Sequence, residues 1–207
     1  MSEILVNTIK KADGTGELTV PTTAGDIVVS SGGVLPALDG SNLTNVSAGK
    51  VLQMVHTLKQ NTFSGTANIG SGWDDISDLN ATITPSSTSS VIVGIVQMYA
   101  SPNPSNYTIG SRLKRNIGGG ADSFPFLGDT RGSTTRMSGF NNSGAGSAQT
   151  LGFVFRDTPS TTSSVVYTIQ AASESGSDYV IGGSQLSNSS YMGSVPSTIT
   201  LMEIDPS

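Results

Sequence analysis

One phrase is used twice in this chain, and it limits the fold more than any other feature. Thr84-Pro85-Ser86-Ser87-Thr88-Ser89-Ser90-Val91 leads into alternating apolar residues, and Thr158-Pro159-Ser160-Thr161-Thr162-Ser163-Ser164-Val165 leads into another such run. A shorter echo, Val195-Pro196-Ser197-Thr198-Ile199-Thr200-Leu201, opens the last strand-like stretch. Proline presets φ and cannot donate to a ladder, while Ser and Thr hydroxyls bond the nearby backbone. Each instance therefore reads as a polar turn delivering the chain into a strand of period two. The reuse predicts similar hairpins around one β core, with no catalytic signature interrupting the scaffold.

From Lys50 onward the alternation is regular. Strands are expected at 51–58, around Leu79, Ala81 and Ile83, and at 90–100, 107–117, 151–155, 165–172, 179–181 and 199–204. Trp73 and Asp74-Asp75 are expected in a long connection, with short strand candidates at 124–126 and 135–137. In 90–100, Ile92, Val96 and Met98 fall on one face and Val91, Val93 and Ile95 on the other, which predicts a central strand covered on both sides. Strands at intervals of about 8–15 residues without a convincing helix indicate an all-β, antiparallel, jelly-roll-like β-sandwich.

Residues 1–48 differ. Ile4, Leu5, Val6 and Ile9 form a short apolar run, Asp13-Gly14-Thr15-Gly16 reads as a tight turn, and 18–20 and 26–29 read as brief strands. Val34, Leu35, Leu38, Leu43 and Val46 then recur irregularly among Gly and Pro, which forbid a stable helix. No compact core follows from such residues alone. The expected organisation is an extended attachment and stalk segment at 1–48 and a sandwich head at 49–207. The stalk's apolar residues would gain a core only by wrapping with copies of the chain or by docking on another protein.

Composition narrows the function classes. Hydrophobic residues make up 35% of the chain and charged residues 12%, where a soluble domain carries about twice that charge. Ser, Thr and Gly supply about two residues in five, so strands are thin, loops are long, and self-assembly is the expected compensation for a small core. There is no Cys, which removes disulfides and thiolate metal sites together. A pI near 4.6 and a net charge of −5 argue against nucleic-acid binding. No run is long and apolar enough for a membrane span, and the first residues lack a signal peptide's pattern, so synthesis in a cytoplasm is expected.

Candidate chemistry is sparse. His56 is the sole histidine, which excludes a His-pair metal site and leaves an ordinary strand residue or a pH-sensitive contact. No nucleophile elbow accompanies the plentiful Ser and Asp. Asp74, Asp75 and Asp78 are the densest acidic group, but their spacing does not fit a calcium loop and a solvated loop is the better reading. Gly118-Gly119-Gly120 lacks the Lys-Ser/Thr pair of a phosphate loop. Paired carboxylates for glycan cleavage remain the competing chemistry. Arg112, Lys114, Arg115, Arg131 and Arg136 hold half of the positive charge. Trp73, Tyr99, Tyr107, Phe124, Phe126, Phe140, Tyr179 and Tyr191 fall mostly at strand ends or in loops, where rings either stack on sugars or plug the sandwich.

The order of several motifs resembles the C-terminal β domain of bacteriophage tail-fibre and appendage proteins, especially those of phages of aquatic bacteria. The matching phrases run from Val51-Leu52-Gln53 through Ile83-Thr84-Pro85-Ser86-Ser87-Thr88-Ser89-Ser90 and Arg112-Leu113-Lys114-Arg115. They continue with Gly128-Asp129, Arg131-Gly132-Ser133, Asp157-Thr158-Pro159-Ser160 and the ending Ser197-Thr198-Ile199-Thr200-Leu201-Met202-Glu203-Ile204. The opening Val6-Asn7-Thr8-Ile9-Lys10-Lys11-Ala12-Asp13-Gly14-Thr15-Gly16 and the junction Leu38-Asp39-Gly40-Ser41-Asn42-Leu43-Thr44-Asn45 also look like parts of such fibres. The resemblance implies a homotrimeric, non-enzymatic virion protein without cofactor or metal, assembled on the phage particle. Ile4, Leu5, Val6 and Ile9 would dock on another virion protein, and Val34, Leu35, Leu38, Leu43 and Val46 would line the trimer axis. Phe124, Phe126, Arg131, Arg136 and Phe140, in or beside the long 118–150 loop region, would contact a host surface glycan. A capsid decoration and a polysaccharide-degrading spike are the alternatives, the chain being short for a fibre.

Overall fold

The computed structural model describes residues 50–103, 107–143, 147–185 and 193–206. In chain order the strands are β1 (Val51–Lys59), β2 (Phe63–Gly65), β3 (Asp74–Ile83), β4 (Val91–Gln97), β5 (Tyr99–Pro102) and β6 (Tyr107–Ile117). They continue as β7 (Gly139–Ser143), β8 (Gln149–Thr150), β9 (Phe153–Asp157), β10 (Val165–Ser173), β11 (Tyr179–Ile181) and β12 (Ser197–Ile204). One short 3-10 turn occupies Glu174–Gly176. The segments Ile4–Ile9 and Val34–Val46, with the docking and axis residues assigned to them, lie outside the described residues.

The pairing is nested. β1 pairs with β12, β3 with β10, β4 with β9 and β6 with β7, all antiparallel. The chain thus forms one long hairpin whose tip is the 118–138 loop between β6 and β7. Two further pairings, β12 with β4 and β10 with β6, roll that hairpin into the four-stranded sheets β1-β12-β4-β9 and β3-β10-β6-β7. This is the eight-stranded jelly roll expected from the sequence. A third four-stranded sheet, β2-β11-β5-β8, repeats the order of the first with sequence neighbours of its strands.

The repeated phrase does not build hairpins. β3 and β4 belong to different sheets, and so do β9 and β10, so residues 84–90 and 158–164 each carry the chain across the sandwich. Pro85 and Pro159 are both buried at these corners, where a hairpin ladder would have required an N–H that proline lacks. The first crossover is pinned by Glu203 of β12. Its Oε1 accepts from Ser86 N, Ser86 Oγ and Ser90 Oγ at 2.6 Å each, and its Oε2 accepts from Gln53 Nε2. Burial alone would raise the Glu203 carboxyl, but these hydrogen bonds outweigh it and hold the group at about 2.

The core lies between the two sheets, filled by inward residues such as Ile92, Val96, Ile199 and Leu201 from one and Ile83, Leu113, Tyr167 and Ile169 from the other. Gly94 is required by close approach: a Cβ there would collide with the ring of Phe155. That ring packs across the gap on Tyr167, with centroids 5.4 Å apart. Tyr167 OH donates to Asp157 Oδ2 at 2.7 Å, and Arg115 Nη1 donates to both Asp157 oxygens at 2.8 Å. Asp157 of β9 therefore ties the first sheet to β6 and β10 of the second. Burial and the Asp157 hydrogen bond push the Tyr167 phenol upward from its ordinary value.

Several expectations are corrected. The 90–100 stretch is two strands, β4 and β5, separated at buried Met98. β4 is central in its sheet, but its outer face is open, with Ile95 42% exposed. Asp74 and Asp75 lie in β3, not in a connection. Neither 124–126 nor 135–137 is a strand, while β2, β7 and β8 were not anticipated.

Candidate functional site

The outer face of β3-β10-β6-β7 is built from outward residues of alternating strands. β6 contributes Thr108, Gly110, Arg112, Lys114 and Asn116, because Ile109, Ser111 and Leu113 between them point into the core. Arg112 is the centre of this face. Its guanidinium carbon lies 4.6 Å from the Trp73 ring centroid and 4.1 Å from that of Phe124, so it is packed against two aromatic rings. Nε donates to Gln170 Oε1 at 2.6 Å, and Gln170 Nε2 donates to Asp75 Oδ1 at 2.6 Å. Lys114 pairs with Asp75 and stands 3.7 Å from Asp122 Oδ2. Burial lowers the Arg112 guanidinium from its ordinary value, and the Asp75 carboxylate opposes that shift.

Beside Arg112, Gly110 forms a floor. A Cβ there would collide with Met137 Sδ and sit 3.0 Å from Trp73 Cη2. Phe140 stands opposite Gly110 on β7 and is 67% exposed. A cleft of about 470 Å³ is lined by Asn68, Thr108, Thr134, Thr135, Met137 and Glu174, among others. A second cleft of about 510 Å³ includes Phe63, Thr66, Asp74 and Asp178. Its Asp74 carboxylate is already engaged, since Oδ2 accepts from Thr66 N, Ala67 N and Tyr179 OH. Burial and that Asp74 bond push the Tyr179 phenol upward. The first cleft, with its threonine hydroxyls and the Asn68 amide, can hydrogen-bond a hydroxyl-rich ligand.

The structure separates the expected receptor residues. Phe124 lies on Arg112, and Phe140 sits on the same outer face. Arg131 and Arg136 are exposed in a loop closed by Gly128 N to Met137 O (3.0 Å) and Arg136 Nε to Gly128 O (2.7 Å). Phe126 departs from the set: its ring stacks on Phe153 at 5.6 Å and packs against the core, because Ser138 Oγ and the fold of the loop draw this part of the chain inward. The 118–138 loop is a strap rather than a free tip, since Ser123 exchanges backbone hydrogen bonds with Arg115 of β6. Asp74 and Asp75 have different partners, and Asp78 occupies a bulge at φ 62°. Among the described residues no group of three or more acidic or histidine side chains is placed to hold a metal ion. His56 is exposed on the other sheet, with Nδ1 2.8 Å from Thr200 Oγ1 rather than beside a carboxylate. The Trp73–Arg112–Phe124 stack was not foreseen as a unit, because nothing in the spacing of 73, 112 and 124 links them before the fold is known.

No family model matches this chain, and no curated protein matches it. Among solved structures, one of the infectious bursal disease virus Gt strain shares 13% identity at a TM-score of 0.40, over 92% of this chain and 51% of that one. A crystal structure of the T13 particle of the same virus shares 13% identity at a TM-score of 0.42, over 84% of this chain and 44% of that one. The chain spans about half the length of these structures' chains. A likeness this loose carries no argument about function.

Proposed function

We propose that the chain is a non-enzymatic structural component of a virion, the head of a trimeric fibre or appendage that contributes to host attachment. One observation carries this reading: the buried carboxylates Glu203 and Asp157 serve to brace the jelly roll. Glu203 secures a crossover and Asp157 ties the sheets, while Asp74, which lines a cleft, already accepts from residues 66 and 67 and from Tyr179. An active site would instead aim such groups into a cleft beside a nucleophile or a proton acceptor. The ordered resemblance to phage fibres supports the same reading, its repeated phrase being the sheet-to-sheet crossover of this head. Residues 1–20 would dock on another virion protein, and the tip strap with the Arg112 face would meet host glycan.

Imaging of virions decorated with a gold-labelled antibody to the chain tests the location: label on a slender projection supports a fibre, and label spread over the capsid shell supports a decoration. Host polysaccharide incubated with the protein should keep its length, whereas shortening would establish the spike alternative. Replacing Arg131, Arg136 and Phe140 together by Ala should reduce host-cell adsorption of the assembled protein at least tenfold, as expected when weak contacts are multiplied by avidity. Unchanged adsorption moves the receptor site off this surface.

A further inference from the structure

Six of the seven large apolar side chains that stand exposed among the described residues lie on one face of one sheet: Val51 (52%), Leu52 (37%), Met54 (66%), Leu58 (50%), Ile95 (42%) and Val154 (60%). The register places them in rows that they share with Met202, Val93 and Ile204 and with the polar residues Thr198, Thr200, Gln97 and Arg156. Met54 of β1 faces Met202 of β12, which faces Val93 of β4. In the next row His56 faces Thr200, Thr200 faces Ile95, and Ile95 faces Val154 of β9. Val51 opposite Ile204 extends the apolar surface at the start of β1, where a bulge turns Val51 outward. The outward positions of the four strands carry one permanent cation, Arg156, and no carboxylate. Alternation normally sends polar residues to the solvent face of such a sheet, and here apolar residues outnumber them.

We infer that this face is the surface through which copies of the chain pack together, the occupants being the same face of the neighbouring copies, turned toward one common axis. Three points favour a copy over another partner. A nearly neutral face meets its own image without like-charge repulsion, whereas it offers no charged anchor to an ionic ligand. With strands about 4.8 Å apart and about 3.3 Å per residue, the face measures roughly 500 Å². Three such faces turned toward one axis would hide about 1,500 Å² in all, too little per pair for free partners and therefore suited to copies already held together. Finally, residues 1–49 enter the head at Lys50, immediately before β1, the edge strand of this very sheet. If those residues join copies, as the fibre reading holds, they raise the effective concentration of the faces to a level at which a marginal interface closes. The inference rests on that reading for self-assembly and adds the face that performs it.

The test uses the full chain. Sedimentation is measured for the wild type, for Met54→Glu with Ile95→Glu, and for Thr82→Glu on the outer face of the opposite sheet. Methionine oxidation by peroxide, mapped by mass spectrometry, reads the unmutated face, with buried Met98 as the slow internal standard. The expected result is a wild-type and Thr82→Glu oligomer, at least tenfold weaker association in the double variant, and Met54 oxidation slowed several-fold as the oligomer forms. An oligomer unaffected by the double substitution, with Met54 oxidised at full speed, overturns the inference while self-assembly stands. A wild-type monomer overturns both, and slow Met54 oxidation in that monomer would show that the chain covers its own face.

Discussion

The two outer faces of the sandwich are made by the same alternation and share one core, yet they are finished differently. On β3-β10-β6-β7 the outward side chains satisfy one another: Arg112 lies against Trp73 and Phe124, Gln170 links it to Asp75, and Lys114 balances Asp75 and Asp122. On β1-β12-β4-β9 the outward positions hold Met54, Leu58, Ile95 and Val154 with nothing described above them. The first is a surface finished for water apart from Phe140, which is 67% exposed. The second is half of a core. The difference teaches that burial on one side of a strand says little about the other side, and that a thin sandwich can keep apolar area in reserve for assembly.

The largest effect should come from cutting what holds the faces back to back. Asp157→Ala removes the acceptor of Arg115 and Tyr167 and leaves a cation without its partner between the sheets. Such losses cost about 3–5 kcal/mol. Denaturant unfolding should show a shift of that order, and a shift below 1 kcal/mol would mean that the sheets are held by apolar packing alone. Next in size is the acid response of Glu203. Its folded value near 2 lies below the ordinary 4.5, so its contribution is full above pH 4.5 and is lost as the pH falls toward 2. The shift corresponds to about 3 kcal/mol. Stability measured from pH 6 to pH 2 should decline through that window in the wild type and decline less in Glu203→Gln.

Smaller effects separate the faces from each other. Arg112→Ala removes the contacts with both rings and should cost about 1 kcal/mol, with Arg112→Lys recovering part of it. Met54→Glu should change the stability of the fold by less than about 0.5 kcal/mol, as an exposed substitution does, and yet weaken assembly. Unfolding and sedimentation of the same sample check both halves of that statement. A Met54→Glu protein that is unstable but still assembled would reverse the account of this face.

Much of this architecture was legible in advance because period-two patterning survives in β1, β4, β6, β10 and β12, and because each Pro/Ser/Thr phrase marks a strand start. What the phrase connects was not legible. A hairpin and a sheet crossover use the same turn chemistry, and the deciding acceptor, Glu203, lies 117 residues from Ser86. The first half of β3 was missed because carboxylates are rare in strands, while here Asp74 and Asp75 are held by Tyr179, Lys114 and Gln170. β7 was missed because Gly139-Phe140-Asn141-Asn142-Ser143 pairs with β6 through backbone rather than through an alternating apolar pattern. Of the candidate contact residues, Phe140, Arg131 and Arg136 are exposed, while Phe126 shows that an aromatic in a Gly/Ser-rich loop is as readily a plug as a contact. The open face of β4 was misread because a run of apolar residues on both sides implies a cover without saying whose.

The most direct measurement exploits the absence of cysteine in the sequence. A single cysteine is placed at Ile95, on the apolar face, or at Thr82, on the opposite sheet, in the otherwise unchanged full chain. Each protein is treated at micromolar concentration with a short thiol-to-thiol cross-linker and run on a denaturing gel. The account predicts efficient joining of copies through residue 95 and little through residue 82. Equal joining through both positions, or joining through residue 82 alone, would contradict it.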